Sequence, residues 1–185
     1  MHFKDWVREK GATSDEASKR PSKEPYIPSM EEVLKLIRPF AREKGVLINI
    51  ELKNSQVPYE GMEEKILELV KQYDMEPFVI YSSFNSESVK KLKALDPSVK
   101  TGILQSDIKD CLRLKEDTGA DALHPNVDGL GDGVTGDDAK QIPVRAWNGR
   151  EPFYKQIRQY IVFDLCKLSA AGVTDFITNV PEEYL

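Results

Sequence analysis

Cysteine is scarce. Cys111 and Cys166 are the only thiols, they fit no metal-binding spacing, and buried free thiols are the expectation for both. Long apolar runs are lacking too: none approaches the ~20 residues of a membrane-spanning helix, which excludes a helical span. The opening MHFKDWVREKGATSDEASKRPSKEP has no apolar core of a secretory leader, so a cytoplasmic chain is the favoured expectation. There is no excess of positive charge. The 26 basic and 31 acidic side chains leave −5, against a nucleic-acid module, which needs a concentrated basic face. Neither GxGxxG nor GxxxxGK[ST] follows any apolar strand candidate, which argues against a nucleotide fold. The glycines gather instead in Asp128-Gly129-Leu130-Gly131-Asp132-Gly133. Leu130 stands where a calcium loop needs an oxygen ligand, so this stretch reads as a flexible loop.

A chain of 185 residues can bury one core of ordinary size. Residues 1–28 are dense in charge, carry Pro21, Pro25 and Pro28, and read as a partly disordered lead-in loop. From residue 29 to residue 185 apolar helices and strands alternate, which predicts a single domain. Ser29 with Glu31 and Glu32 starts a helix that Gly45 stops, and the strand 46–52 follows. Further strands are predicted at 78–82, 100–104, 121–124, 143–147 and 175–178. Helices are expected at 60–73, 86–95, 107–118 and 152–171. Units recurring every 20–31 residues or so require right-handed crossovers and a parallel sheet. Periodicity fits both an open doubly wound sheet and part of a (β/α)8 barrel.

The strand LINIELK carries the clearest chemistry. Alternation places Leu47, Asn49, Glu51 and Lys53 on one face and Ile48, Ile50 and Leu52 on the other. In a barrel the polar set faces the lumen, and Glu51 and Lys53 stand at the C-terminal rim, where such barrels keep their active sites. A carboxylate beside an ammonium suits a metal ion and a phosphate oxygen together. Spacing alone equally allows an ordinary ion pair at a strand end.

Five segments in order resemble the glycerophosphodiester phosphodiesterase family: IPSMEEVL (27–34), LINIELK (47–53), YSSFN (81–85), PVRAWN (143–148) and AGVTDFITNVP (171–181). The resemblance implies a (β/α)8 barrel that uses a divalent cation, calcium or magnesium, to hydrolyse glycerophosphodiesters to glycerol 3-phosphate and an alcohol. It makes Glu51 a metal ligand and Lys53 the substrate-phosphate lysine. Trp147 would line the glycerol side of the pocket or serve as packing, and Ser83 and Phe84 would lie at the rim beside it. The family's HRG motif, the two acids of its second strand and the histidine after them have no counterpart here. His2 lies in MHFKDW, and His124 follows a later strand in a His-Pro read as structural. The expectation is therefore a truncated barrel with about six of eight strands, an incomplete cation site and no assigned catalytic residue. Hydrolysis by this chain alone should be weak or absent, and open sheet edges would permit self-association. Two rivals stand beside this reading: a non-catalytic module that binds glycerophosphate, and an open α/β domain whose strand order reverses.

Overall fold

The computed structural model describes residues 27–133, 142–148 and 163–178. The greater part of the expected lead-in, residues 1–26, and the first part of the helix expected at 152–171, up to residue 162, lie outside the described residues.

The first helix, α1 (Met30–Lys44), begins with a reciprocal cap. Ser29 Oγ accepts the Glu32 N–H at 3.2 Å, and the Ser29 N–H donates to Glu32 Oε2 at 2.8 Å. Gly45, at φ 67°, closes it by donating its N–H to the Ala41 carbonyl at 2.9 Å. Pro39 lies inside α1 and removes one N–H donor, yet the helix runs through it. Burial of Leu34 and Ala41, both 0% exposed, offsets that loss.

The chain then alternates strand and helix: β1 (Ile48–Glu51), α2 (Met62–Gln72), β2 (Val79–Ser83), α3 (Ser86–Leu95), β3 (Lys100–Gln105), α4 (Ile108–Thr118) and β4 (Ala122–Pro125). After these come β5 (Arg145–Trp147), α5 (Leu165–Ala170) and β6 (Asp175–Ile177). Every ladder is parallel and the order is sequential, β1-β2-β3-β4 and β5-β6. Parallel bridges Leu123↔Val144 and Asn126↔Trp147 join the two sets. Among the described residues there is no reversal of strand order, which disposes of the doubly wound alternative. The fold is the α/β arrangement of a (β/α)8 barrel, with six strands among the described residues and no closure between β1 and β6.

Alternation along the strands divides the residues as expected. Ile50, Leu52, Val79 and Tyr81 pack under α1, α2 and α3 with Leu34, Val70 and Leu92. Ile103, Leu123, Val144 and Ala146 pack with Val89 and Cys111 beneath α3 and α4. Each fully buried aliphatic side chain contributes roughly 1.5–3 kcal/mol, which holds the helices on this outer face. The inner face carries a polar layer across the ladders, Glu51↔Ser82 and Ser82↔Gly102.

Several boundaries differ from the sequence reading. The strand expected from residue 46 starts at Ile48, because β2 starts opposite it at Val79 and offers Val46 and Leu47 no ladder. Phe78 belongs to a single 3-10 turn, Glu76–Phe78, closed by its N–H to the Met75 carbonyl at 2.9 Å. The helix expected through 171 does not run unbroken. Asp164 is extended, and its carboxylate caps α5 by accepting the Cys166 and Lys167 N–H groups. Cys111 is buried as expected, but Cys166 is exposed because it sits on the outward first turn of α5. The glycine-rich stretch is pinned rather than free. Leu130, 5% exposed, anchors it in the core, and the Gly133 N–H donates to the Leu130 carbonyl at 2.8 Å.

Candidate functional site

Glu51 ends β1, and Lys53 follows it on the same face. Lys53 Nζ lies 3.0 Å from Glu51 Oε1, with the side chains 79% and 30% exposed respectively. The pair is thus the strand-end ion pair that spacing allowed, and it stands at the C-terminal rim that a barrel uses for chemistry. An exposed pair of this kind contributes about 0–1 kcal/mol, so a competing anion can displace the carboxylate without loss of the fold.

The neighbouring strand fixes this rim. Asn49 Nδ2 donates to Ser82 Oγ at 3.0 Å inside the lumen. Ser83 Oγ, fully buried, donates to the Leu52 carbonyl at 2.8 Å and accepts the Asn85 N–H at 3.0 Å. Ser83 therefore ties the end of β1 to β2 rather than lining a pocket.

Phe84 follows β2 and meets Trp147, the last residue of β5, edge to face with ring centroids 5.7 Å apart. Three strand intervals separate β2 from β5, about 14 Å at the usual spacing. Contact over that span means that the array curls toward a barrel. Trp147 is held from below as well, since its Nε1–H donates to the His124 carbonyl at 3.0 Å. The aromatic pair stands at the same C-terminal rim as Glu51 and Lys53.

Beneath the rim lies His124, 0% exposed, with neither ring nitrogen hydrogen-bonded among the described residues. Its ring fills the space over Gly102: a Cβ there would come within 2.3 Å of His124 Nε2. Burial lowers its pKa to about 4, and the Arg145 guanidinium adds to the effect while Asp175 opposes it. Arg145 Nε itself lies 3.4 Å from Asp175 Oδ2. A neutral, enclosed imidazole is a packing element here, in keeping with the structural reading of the His-Pro.

One cluster was not legible in the sequence. Asn54, 6% exposed, donates Nδ2 to Ser88 Oγ at 2.7 Å and to Glu63 Oε1 at 3.1 Å. Ser88 Oγ donates to Glu63 Oε1 at 2.6 Å, and Lys91 Nζ reaches Glu63 Oε2 at 3.1 Å. Burial raises the Glu63 pKa, but the Ser88 hydroxyl, a backbone N–H and Lys91 outweigh it, and the net value is lowered. In sequence, Glu63 reads as an ordinary acid in the first turn of α2, and Asn54 as a loop residue. The ELK neighbourhood was the one available hint.

No group of three or more His, Cys, Asp or Glu side chains that could hold a metal ion occurs among the described residues. A calcium ion takes 6–8 oxygen ligands, several of them carboxylates. Glu51 alone does not meet that requirement, so the described residues do not fit a complete cation site.

Sequential parallel βα units, with an acid, an amine and an aromatic pair at the C-terminal rim, define a (β/α)8-type barrel arrangement. Residues 4–183 match the Glycerophosphoryl diester phosphodiesterase family, and the chain belongs to it. Relatives include the uncharacterised protein YqiK of Bacillus subtilis (strain 168), 36% identical over 163 residues, which are 85% of this chain and 60% of that protein. A glycerophosphodiester phosphodiesterase of Caldanaerobacter subterraneus subsp. tengcongensis is 42% identical over 78 residues, 42% of this chain and 30% of the relative. The matched stretch thus spans 60% and 30% of these relatives' lengths, less than two thirds of either. The crystal structure of a glycerophosphodiester phosphodiesterase from Parabacteroides distasonis superposes with a TM-score of 0.67 at 20% identity, over 92% of this chain and 68% of that one. An Oleispira antarctica phosphodiesterase, solved in complex with its product sn-glycerol-3-phosphate, gives 0.59 at 24% identity over 85% and 59%. At these identities the solved structures establish the barrel fold.

Proposed function

We propose that this chain is a glycerophosphodiester phosphodiesterase-type domain that grips the glycerol 3-phosphate moiety of its substrate. Lys53 meets the phosphate, Trp147 and Phe84 meet the glycerol carbons, and Glu51 offers one carboxylate to a divalent calcium or magnesium ion. The observation that carries this reading is the shared rim: the Glu51–Lys53 pair and the Phe84–Trp147 pair both end parallel strands on the same side of the sheet. The Oleispira antarctica relative holds sn-glycerol-3-phosphate, and a lysine at a rim suits that anion.

Hydrolysis by this chain alone is expected to be weak or absent. General acid–base steps in phosphodiester cleavage contribute about 10²–10⁴-fold each and need a proton carrier at the reacting oxygens. His124 is the one histidine among the described residues, and it is enclosed beneath the rim. Binding therefore precedes chemistry as the testable property. The outer edges of β1 and β6 carry no ladder among the described residues, and self-association through them belongs to the same proposal.

Titration calorimetry with glycerol 3-phosphate on the whole 185-residue chain tests the reading, beside an assay for glycerol 3-phosphate release from glycerophosphocholine. The expected result is binding that Lys53→Ala weakens at least about ten-fold, as loss of a charge-assisted contact implies, with little release. Binding indifferent to Lys53→Ala would refute the lysine's role. Release at a rate typical of a complete enzyme would refute the expected inactivity.

A further inference from the structure

Lys53 is 79% exposed and carries a long flexible side chain, so its usefulness to an anion depends on where its backbone is held. The residue before it is fixed at three points. Leu52 buries its side chain to 4% exposure, donates its N–H to the Ser82 carbonyl at 2.8 Å, and accepts Ser83 Oγ at its own carbonyl at 2.8 Å. The residues after it are different: residues 55–60 are exposed throughout. Between these two regimes stands Asn54, whose buried amide is tied to Ser88 and Glu63. Those partners are fixed in turn. Glu63 sits in the first turn of α2, Ser88 in the first turn of α3, and Lys91 bridges Glu63 and Glu64 at 3.1 and 2.8 Å.

We propose that Asn54, acting through Glu63 and Ser88, is the positioning residue of the Lys53 anion-binding arm. The clamp fastens the chain leaving β1 to two helices on the outer face, so that Lys53 projects over the rim from a backbone held on both sides. Without it, the exposed 55–60 stretch would pull on Lys53 from a single anchor at Leu52. Asn54 Nδ2, the Ser88 hydroxyl and the Glu63 carboxylate are paired with one another, and such a network is rigid because each of these groups left alone would be costly; Asn54 Oδ1 takes no hydrogen bond among the described residues. The inference rests on the proposed role of Lys53 in phosphate binding.

A double-mutant cycle tests it, with glycerol 3-phosphate as the probe and calorimetry as the readout on the full chain. Thermal unfolding of each variant serves as the folding control. Coupled residues depart from additivity, so Asn54→Ala is expected to weaken binding about five-fold with Lys53 present and hardly at all in Lys53→Ala. A merely structural role predicts the same loss in both backgrounds, and that result overturns the proposal, as does no loss in either. Glu63→Gln keeps an acceptor oxygen for Asn54 and should hold most of the affinity that Glu63→Ala loses. If Asn54→Ala does not fold, Ser88→Ala, which removes one of the two Asn54 contacts, enters the same cycle with the same outcomes. Wild-type binding that Lys53→Ala does not weaken refutes the underlying reading instead, and the positioning role falls with it; so does absence of wild-type binding.

Discussion

Between pH 6.5 and pH 4, acid should charge the His124 imidazole in the unfolded chain while the folded protein still keeps it neutral. Its folded pKa stands at about 4, against the ordinary 6.5, because the ring is 0% exposed over Gly102 and faces the Arg145 guanidinium, with Asp175 opposing. Over that window the unfolded state binds one more proton than the native state, so stability falls as pH falls. The slope is about 1.4 kcal/mol per pH unit, and the full interval amounts to about 3 kcal/mol. That is a sizeable share of the roughly 5–15 kcal/mol that stabilises a typical domain. Urea unfolding at several pH values between 7 and 4 measures it. The comparison is His124→Met, which does not titrate and fills similar space with a flexible chain. Both proteins share every carboxylate and the other histidine, His2, so the difference in slope isolates position 124. The expected outcome is a wild type that loses about 3 kcal/mol relative to the variant across this window. Parallel pH profiles for the two proteins would show that the imidazole is solvated or partnered in the folded state, and the packing argument would fail.

Gly102→Ala should destabilise the fold by at least about 1–3 kcal/mol, because its Cβ would lie 2.3 Å from His124 Nε2. Combining it with His124→Ala should recover part of that loss in chemical unfolding, and no recovery would place the strain elsewhere. Glu63 contributes stability in the opposite protonation sense from a basic group. Its lowered pKa makes the contribution complete above the ordinary 4.5, and the contribution disappears as pH falls through the folded value. Glu63→Gln should therefore flatten the acid limb of the stability profile below pH 4.5, and an unchanged limb would count against the clamp described above.

The barrel rhythm was legible because its causes are local. Ser29 and Glu32 start α1, Gly45 and Gly119 stop helices in left-handed backbone, and alternation in INIE sorts Ile50 to the helices and Glu51 to the rim. The placement of Glu51 and Lys53 side by side was legible for the same reason: two residues apart on a strand means one face. Where a boundary depended on a neighbour, local pattern failed. Val46 and Leu47 look like strand, but β2 begins too late to pair with them. Asp164 looks like one more polar residue inside a long helix, but it is extended and its carboxylate caps α5.

By itself, the sequence determined which residues could face inward, where helices start and stop, and that an acid and an amine share one strand face. These follow from backbone geometry within a few residues. Only the tertiary structure decided which distant groups meet: Phe84 with Trp147, His124 over Gly102, and Asn54 with Glu63 and Ser88. Those contacts depend on how far the sheet curls and on the depth at which each helix lies against it. Packing of the whole sets both quantities, and no short segment encodes them.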